Sequence, residues 1–552
     1  MPVRYLRDLC RYERYRSSRT PPINDKHATV MHSYIKKLGF LYKTYVLTIL
    51  TLGYLTSEMG HFLIGVTSKA TARDVHYGDI KCQLLGHLAE SEVFNSTLHE
   101  RCDSSPDQQS CELLVLEDGK PYCEWNYNGL GFQYQLLAGP AFIAVYSIVG
   151  VFFGMAADKF NRVRLLTLCT VISASAIGLI GMATSYWHLI LLRIMLAVGE
   201  AGTNPLSTGI LSDLFSEEKR GLVMAIFNWG IYAGIGLAFP VGRYVTEMNV
   251  GGLGWRVPYY MSGMIGLIVA ALAITTMTEP KRTAISEEAD GDSEPSRPRP
   301  VQNGNGAHAP VAESAEKTSI WKVLFQPKIL ILCIAASIRH TGGFCFAYNA
   351  DLFYRDIFPG KDLGWSLFVV TFLVGSIGVV IGGVTSDSIV KKYGIRSRVA
   401  VLAISQLIAT PFAYGSIYLG PTGAMVTLAI SYLFAEMWFG ILFAILVESV
   451  PMSVRSTTVG AFLFWMNNFG GNVPMFVEPV RKAYDYKTAL AIFYAGFYLL
   501  SSLMFGTTVL FMGKKKSKKT NVHTLAGIEN GGFKNTELEN GPKGFPSLEN
   551  HL

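Results

Sequence analysis

The sequence predicts an all-α membrane protein of twelve transmembrane helices in two pseudo-symmetric six-helix bundles. Three observations predict it. Half of the 552 residues are hydrophobic and only 16% are charged, too apolar a balance for an ordinary soluble domain. Twelve stretches reach the roughly 18 residues that read as a bilayer span. Similar motifs recur at offsets of 229 to 236 residues, the mark of a duplicated unit.

Taken in order, residues 1–42 form a basic N-terminus with Arg4, Arg7, Arg11, Arg14, Arg16 and Arg19. They do not have the apolar core that a cleavable signal needs, so none is expected. The first bundle covers 43–278, with spans at 43–66, 136–156, 164–184, 187–212, 221–243 and 256–278. Residues 279–326 are rich in Pro, Gly, Ser and Glu and read as a flexible linker. The second bundle covers 327–512, with spans at 327–350, 365–386, 398–419, 422–449, 457–477 and 488–512. Residues 513–552 form a tail that opens on "GKKKSKK".

Lys and Arg set the orientation. The N-terminus, the turn "DKFNRVR", the turn "DSIVKKYGIRSR" and the tail fall on one side of a twelve-span chain. By the positive-inside rule that side is the cytoplasm, so both termini are expected there. The net charge of +7 is scattered over these short turns, which speaks for orientation and against nucleic-acid binding. The loop 69–133 falls on the opposite side. It carries Cys82, Cys102, Cys111, Cys123 and the sequon Asn95-Ser96-Thr97. Two disulfides, in any of three pairings, and a glycan on Asn95 are expected of an extracytoplasmic loop.

The repeat is specific. "GMAADKFNRVR" after the second span, with Gly154, Asp158 and Arg162, is answered by "GVTSDSIVKKYG" after the eighth, with Gly383 and Asp387. "DLFSEEKR", from Asp213 to Arg220, is answered by "ESVPMSVR", from Glu448 to Arg455. Trp229, Gly234 and Glu200 match Trp465, Gly470 and Glu436. Six plus six spans with paired G-x-x-x-D basic turns resemble the major facilitator superfamily. Asn161 stands where that family's turn usually has Gly, and Asn tolerates the left-handed backbone such a turn calls for.

A narrower resemblance runs through "RIMLAVGEAGTNP" to "SDLFSEEKRG", where Arg193, Gly199, Glu200, Ala201, Asp213 and Arg220 match the Spinster-like branch. Ala197 and the long cysteine-bearing loop depart from it. The superfamily resemblance implies a central cavity with substrate near the midplane and rocking halves. It also implies that Gly154, Asp158, Arg162, Asp213, Arg220, Gly383, Asp387, Glu448 and Arg455 belong to gating turns. The branch resemblance implies a lysophospholipid or sphingoid phosphate as the solute.

Charged residues inside spans cost about 2.5–3.5 kcal/mol each on insertion scales, so they face a cavity or a partner. This singles out Glu58, His61, Arg193, Glu200, Arg339 and Glu436. Arg193 and Glu200 are seven residues apart and share a helix face. Arg193 either snorkels to the interface or meets the path. Glu58 is the candidate proton site and Arg339 the candidate partner of an anionic head. Asn228, Tyr348, Asn349, Trp465 and Asn468 are candidate cavity-lining residues. Glu58-x-x-His61 has metal-motif spacing, but one copy stands without a second, and no metal is expected.

A phosphate-binding Gly-rich loop with Lys, a complete dinucleotide fingerprint and a nucleophile elbow are all missing from the sequence. The reading is therefore no enzyme and no cofactor. It is a monomeric secondary active transporter of a small organic or lipid-like solute, coupled to a proton or another ion, in the plasma or lysosomal membrane. A proton-coupled carrier of small organic anions, and a transporter-like solute sensor without net transport, are the competing readings.

Overall fold

The structure is a computed structural model and describes residues 26–85, 96–280, 320–450 and 455–512. The site expectation at Asn95, most of the linker and the C-terminal tail lie outside those residues. Among the described residues, eleven helices are long and apolar enough to cross a membrane. The first six run Gly39–Val75, Phe132–Ala157, Arg162–Ile180, Tyr186–Leu214, Leu222–Val245 and Arg256–Thr276. The next four run Pro327–Ile357, Gly364–Tyr393, Ile395–Tyr418 and Pro421–Leu446, and the last Tyr486–Phe511. A twelfth helix, Arg455–Asn472, lies where the eleventh span is expected. Asn467, Asn468 and Asn472 lower its hydropathy.

Local sequence explains the ends. Asn161 has extended backbone, and its side chain accepts from the Arg164 N–H at 2.9 Å, so it caps the third helix. The left-handed backbone expected at Asn161 is therefore not there. It occurs instead in the matching turn of the second half, at Gly394, with φ of +77°. Ser185 caps the fourth helix in the same way as Asn161, through the His188 N–H.

The first helix continues past its expected end at 66 as far as Val75, and the loop after it is folded. Strand Ile80–Leu84 pairs antiparallel with Cys123–Tyr127. Of the three cysteine pairings left open by sequence, the structure has Cys82–Cys111 and Cys102–Cys123, with Cα separations of 5.7 and 5.8 Å. Gly129, at φ +74°, seats this unit on the first helix: a Cβ there would lie 2.6 Å from the Lys69 nitrogen, and the Ser68 hydroxyl donates to the Gly129 carbonyl.

The halves meet unevenly. At the face bearing the disulfide loop, the Asp79 carboxylate accepts from Arg481 and Lys482 at 2.9 and 2.8 Å. Lys81 lies 3.6 Å from Asp356, and Asp362 takes the Tyr244 hydroxyl and Arg243. A Cβ on Gly139 of the second helix would stand 2.9 Å from the Gly471 carbonyl oxygen of the eleventh. Further along the same helices, toward the basic turns, Gly154 and Gly460 have nothing within 4 Å of a Cβ. The close approach of these two helices is thus at the loop face, and a Cβ at Gly154 or Gly460 meets no neighbour. Glycine also brings the first and fifth helices together, since a Cβ on Gly230 or Gly234 would lie 2.8 or 2.6 Å from the Thr51 or Leu55 carbonyl oxygen.

Candidate functional site

Both halves break their fourth helix beside its glutamate. Tyr186–Ala201 ends one residue after Glu200, and Thr203–Leu214 begins beyond Gly202. Pro421–Ala435 ends at Glu436, and Trp438–Ser449 begins after Met437. In each half that glutamate lies with a charged or titratable residue of the half's first helix.

In the first half, Glu200 is fully buried. Its Oε2 accepts from the Ser57 hydroxyl at 2.8 Å, and its Oε1 lies 3.4 Å from His61 Nδ1. Glu58, 8% exposed, projects into the same pocket, where one ligand-type atom each of Glu58, His61 and Glu200 lies within 4.8 Å of the others. Arg193 is 1% exposed, so it does not snorkel. Its guanidinium donates to the carbonyls of His61, Leu137 and Ala138 at 2.8, 3.2 and 3.2 Å and stacks on Phe142 at 5.0 Å. Leu137 and Ala138 end the short helix Phe132–Ala138, before Gly139 and the helix Pro140–Lys159. The arginine therefore caps a break with its planar fork.

In the second half, Arg339 Nη2 donates to the Ala435 carbonyl at 2.9 Å and to Glu436 Oε1 at 3.1 Å. Its guanidinium lies between the Trp438 and Tyr498 rings, 4.8 and 4.4 Å from their centroids. The Tyr232 hydroxyl, from the fifth helix, donates to Glu436 Oε2 at 3.2 Å and crosses between the halves. Glu58 and Arg339 are thus in separate clusters and make no contact with each other.

Tyr348 and Asn349 are buried in the seal between halves. The Tyr134 hydroxyl donates to the Tyr348 carbonyl, and Asn349 Oδ1 accepts from Gln135 at 2.9 Å and Tyr486 at 3.0 Å. The Tyr348 hydroxyl also lies 3.4 Å from His61 Nε2. Asn468 donates to the Phe464 carbonyl of its own helix, Trp465 is exposed and Asn228 is half-buried.

At the turn face each half makes its own ion-pair cluster. Arg162 pairs with Asp213 at 2.7 Å and with Glu279 at 2.8 Å. Arg398 pairs with Asp387 at 2.7 Å and with Glu448 at 3.0 Å. Arg398 follows Arg162 by the repeat offset of 236, so the repeat in the sequence carries a signal for it. Glu279, Ser57, Tyr134, Gln135 and Tyr232 leave no comparable pattern. The side chains of Asp158, Arg220 and Arg455 are outside the described residues, and Gly383, like Gly154, has open space beside it.

Comparison with known proteins matches residues 50–475 to the Major Facilitator Superfamily. Among relatives, the chain is 30% identical over 26% of its length to the sphingosine-1-phosphate transporter SPNS2 of Danio rerio. It is 23% identical over 62% of its length to protein spinster of Drosophila melanogaster. The alignments span 28% and 54% of those relatives' own lengths. Among solved structures, a bacterial homolog of the human lysosomal transporter Spinster, in an inward-facing and unoccupied conformation, superposes with a TM-score of 0.57. That match is 18% identical and covers 85% of this chain and 96% of the other. At that identity the likeness is one of fold. With the matched region covering most of the twelve helices, the chain belongs to the Major Facilitator Superfamily.

Proposed function

We propose that the protein is a secondary active transporter that moves an organic solute across a membrane by alternating access. The observation that carries this reading is the pairing of two features. Buried charge sits at the broken fourth helix of each half, and the described hydrogen bonds and ion pairs between halves lie at the loop face, except for the mid-depth contacts of Tyr232 with Glu436 and of Tyr348 with His61. A molecule that seals one face and opens at the other has the form that rocking around a central site requires. With the basic turns cytoplasmic by the positive-inside rule, this is an inward-facing form.

The solute assigned is a lysophospholipid or sphingoid phosphate. Its support is the likeness to the zebrafish and Drosophila relatives and the aromatic surroundings of Arg339, which suit an amphiphile with an anionic head. The coupling ion, a proton or another cation, is assigned to Glu58 and Glu200. Flux into proteoliposomes tests the reading, using labelled lysophospholipid, sphingoid phosphate and a small organic carboxylate, each with and without an imposed pH gradient. Gradient-dependent accumulation of a lipid phosphate is the expected result. Accumulation of the carboxylate alone makes the protein a small-anion carrier, and binding without accumulation makes it a sensor.

A further inference from the structure

We propose that Glu58, His61 and Glu200 form a buried binding site for a divalent transition-metal ion of the zinc class. The spacing is that of a ligand set. Two ligands about 2.1 Å from a tetrahedral ion stand about 3.4 Å apart, and His61 Nδ1 and Glu200 Oε1 are separated by 3.4 Å. The Glu58 carboxylate lies within 4.8 Å of both partners' ligand atoms, and its terminal torsion is soft enough to close on an ion between them.

Glu58 supplies an independent observation. It is more than nine-tenths buried, it is aimed into the cluster, and among the described residues its carboxylate makes no hydrogen bond or ion pair. Two buried carboxylates with one imidazole need compensating positive charge. Arg193 is the nearby cation, and it spends its donors on three carbonyls and its face on Phe142. One divalent ion would balance both carboxylates. A mixed imidazole and carboxylate set suits Zn2+, Co2+, Mn2+ or Fe2+ better than soft Cu+.

The outer contacts fit as well. Ser57 holds the second oxygen of Glu200, and the Tyr348 hydroxyl lies by His61 Nε2, the nitrogen that a ligating Nδ1 leaves free to donate. Phe142 packs on the imidazole with ring centroids 3.8 Å apart. Among the described residues the other group of suitable spacing is Cys82, Cys102 and Cys123, and its thiols are in disulfides. The sequence shows only Glu58-x-x-His61, because the third ligand comes from the fourth helix, 139 residues after His61.

The test does not depend on transport. Full-length protein, purified in nanodiscs and stripped with chelator, is titrated with Co2+ while its visible d–d absorption is read, then back-titrated with Zn2+. One equivalent of Co2+ with tetrahedral-type absorption, displaced by Zn2+, is expected. Glu58→Gln, His61→Gln and Glu200→Gln should each weaken binding at least ~10-fold. Glu58→Asp, which keeps a carboxylate, should retain a bound spectrum, and His188→Gln, far along the fourth helix, should change nothing. If a buried variant fails to fold, Glu58→Gln and Glu58→Asp carry the comparison, since among the described residues the Glu58 carboxylate has no hydrogen bond or ion pair to lose. Absorption no different from Co2+ in buffer overturns the proposal, and so does equal affinity in Glu58→Gln and wild type. Both results leave the flux assay free to succeed or fail by itself.

Discussion

Arg193 and Glu200 lie two turns apart on one face of the fourth helix, and they do not pair with each other. Arg193 reaches to the carbonyls of His61, Leu137 and Ala138, while Glu200 accepts from Ser57 and lies against His61. The arginine is thus a brace between the first, second and fourth helices. Lysine in its place has no planar fork and cannot serve three carbonyls set in different directions. Each buried carbonyl left without a donor costs about 1–3 kcal/mol. Arg193→Lys should therefore lower the thermal unfolding temperature of the purified protein, while solute affinity in the folded fraction stays close to wild type. An unchanged melting temperature with lost binding would make Arg193 a solute contact instead.

Asp362 joins the seal at the loop face. Burial raises its carboxyl, but the Tyr244 hydroxyl, the Gly364 N–H and Arg243 outweigh that and hold it below the usual carboxylate range. A group with a depressed folded value contributes fully above its unfolded value, about 3.9 for Asp, and loses that contribution only as pH falls through the folded value. The contact of Asp362 with Tyr244 and Arg243 should then persist at pH 5. The accessibility of a reporter cysteine placed beside Trp365, read as its labelling relative to the same cysteine in unfolded protein at each pH, should be the same at pH 7.5 and pH 5. Asp362→Asn should raise that relative labelling equally at both values. Relative labelling that climbs in wild type between pH 7.5 and 5 would show that another group controls the seal.

The sequon tests orientation. If the disulfide loop is extracytoplasmic, Asn95→Gln should raise gel mobility by as much as glycosidase treatment of wild type, with no further shift when both are combined. An unmodified Asn95, together with labelling of reduced Cys102 from the cytoplasm alone, would invert the topology.

What the sequence made legible follows from the range of each interaction. The spans, the duplicated halves and the cysteine-bearing loop were readable because hydrophobic length, repeat offset and thiol count are local properties. The buried charges were readable as a set, since a charge in an apolar run calls for a partner wherever that partner is. Their pairing was not. Glu58 and Glu200 are 142 residues apart and meet only when the first and fourth helices pack. The sequence marks Arg339 as a candidate partner of an anionic head, whereas its bonds to Ala435 and Glu436 depend on the break in the tenth helix, which no Gly or Pro at 436 or 437 announces. Residue type at Asn161 speaks for a left-handed backbone, whereas the turn uses its side chain as a helix cap.

The last prediction concerns Tyr232, Glu436 and Arg339. Glu436 holds Arg339 through one carboxylate oxygen and receives the Tyr232 hydroxyl on the other. The first contact is within the second half, and the second crosses to the first half at mid-depth. If the halves rock as proposed, the crossing bond breaks while the internal pair stays in place. Tyr232→Phe removes only the hydroxyl, a bond to a charged group worth about 1.5–3 kcal/mol, and keeps the ring that packs by Gly375. If that bond favours the form sealed at the loop face, its loss should move the equilibrium roughly 10- to 100-fold toward the alternate form. Cysteine accessibility at both mouths reads this directly, rising at the loop face and falling at the turn face. Glu436→Gln should give the same shift and in addition destabilise Arg339, which remains buried against Trp438 and Tyr498 without its carboxylate. The two variants should therefore agree in accessibility and differ in melting temperature. Equal accessibility in Tyr232→Phe and wild type would mean that the crossing bond is carried along by the motion and that the seal at Asp79 and Arg481 sets the balance.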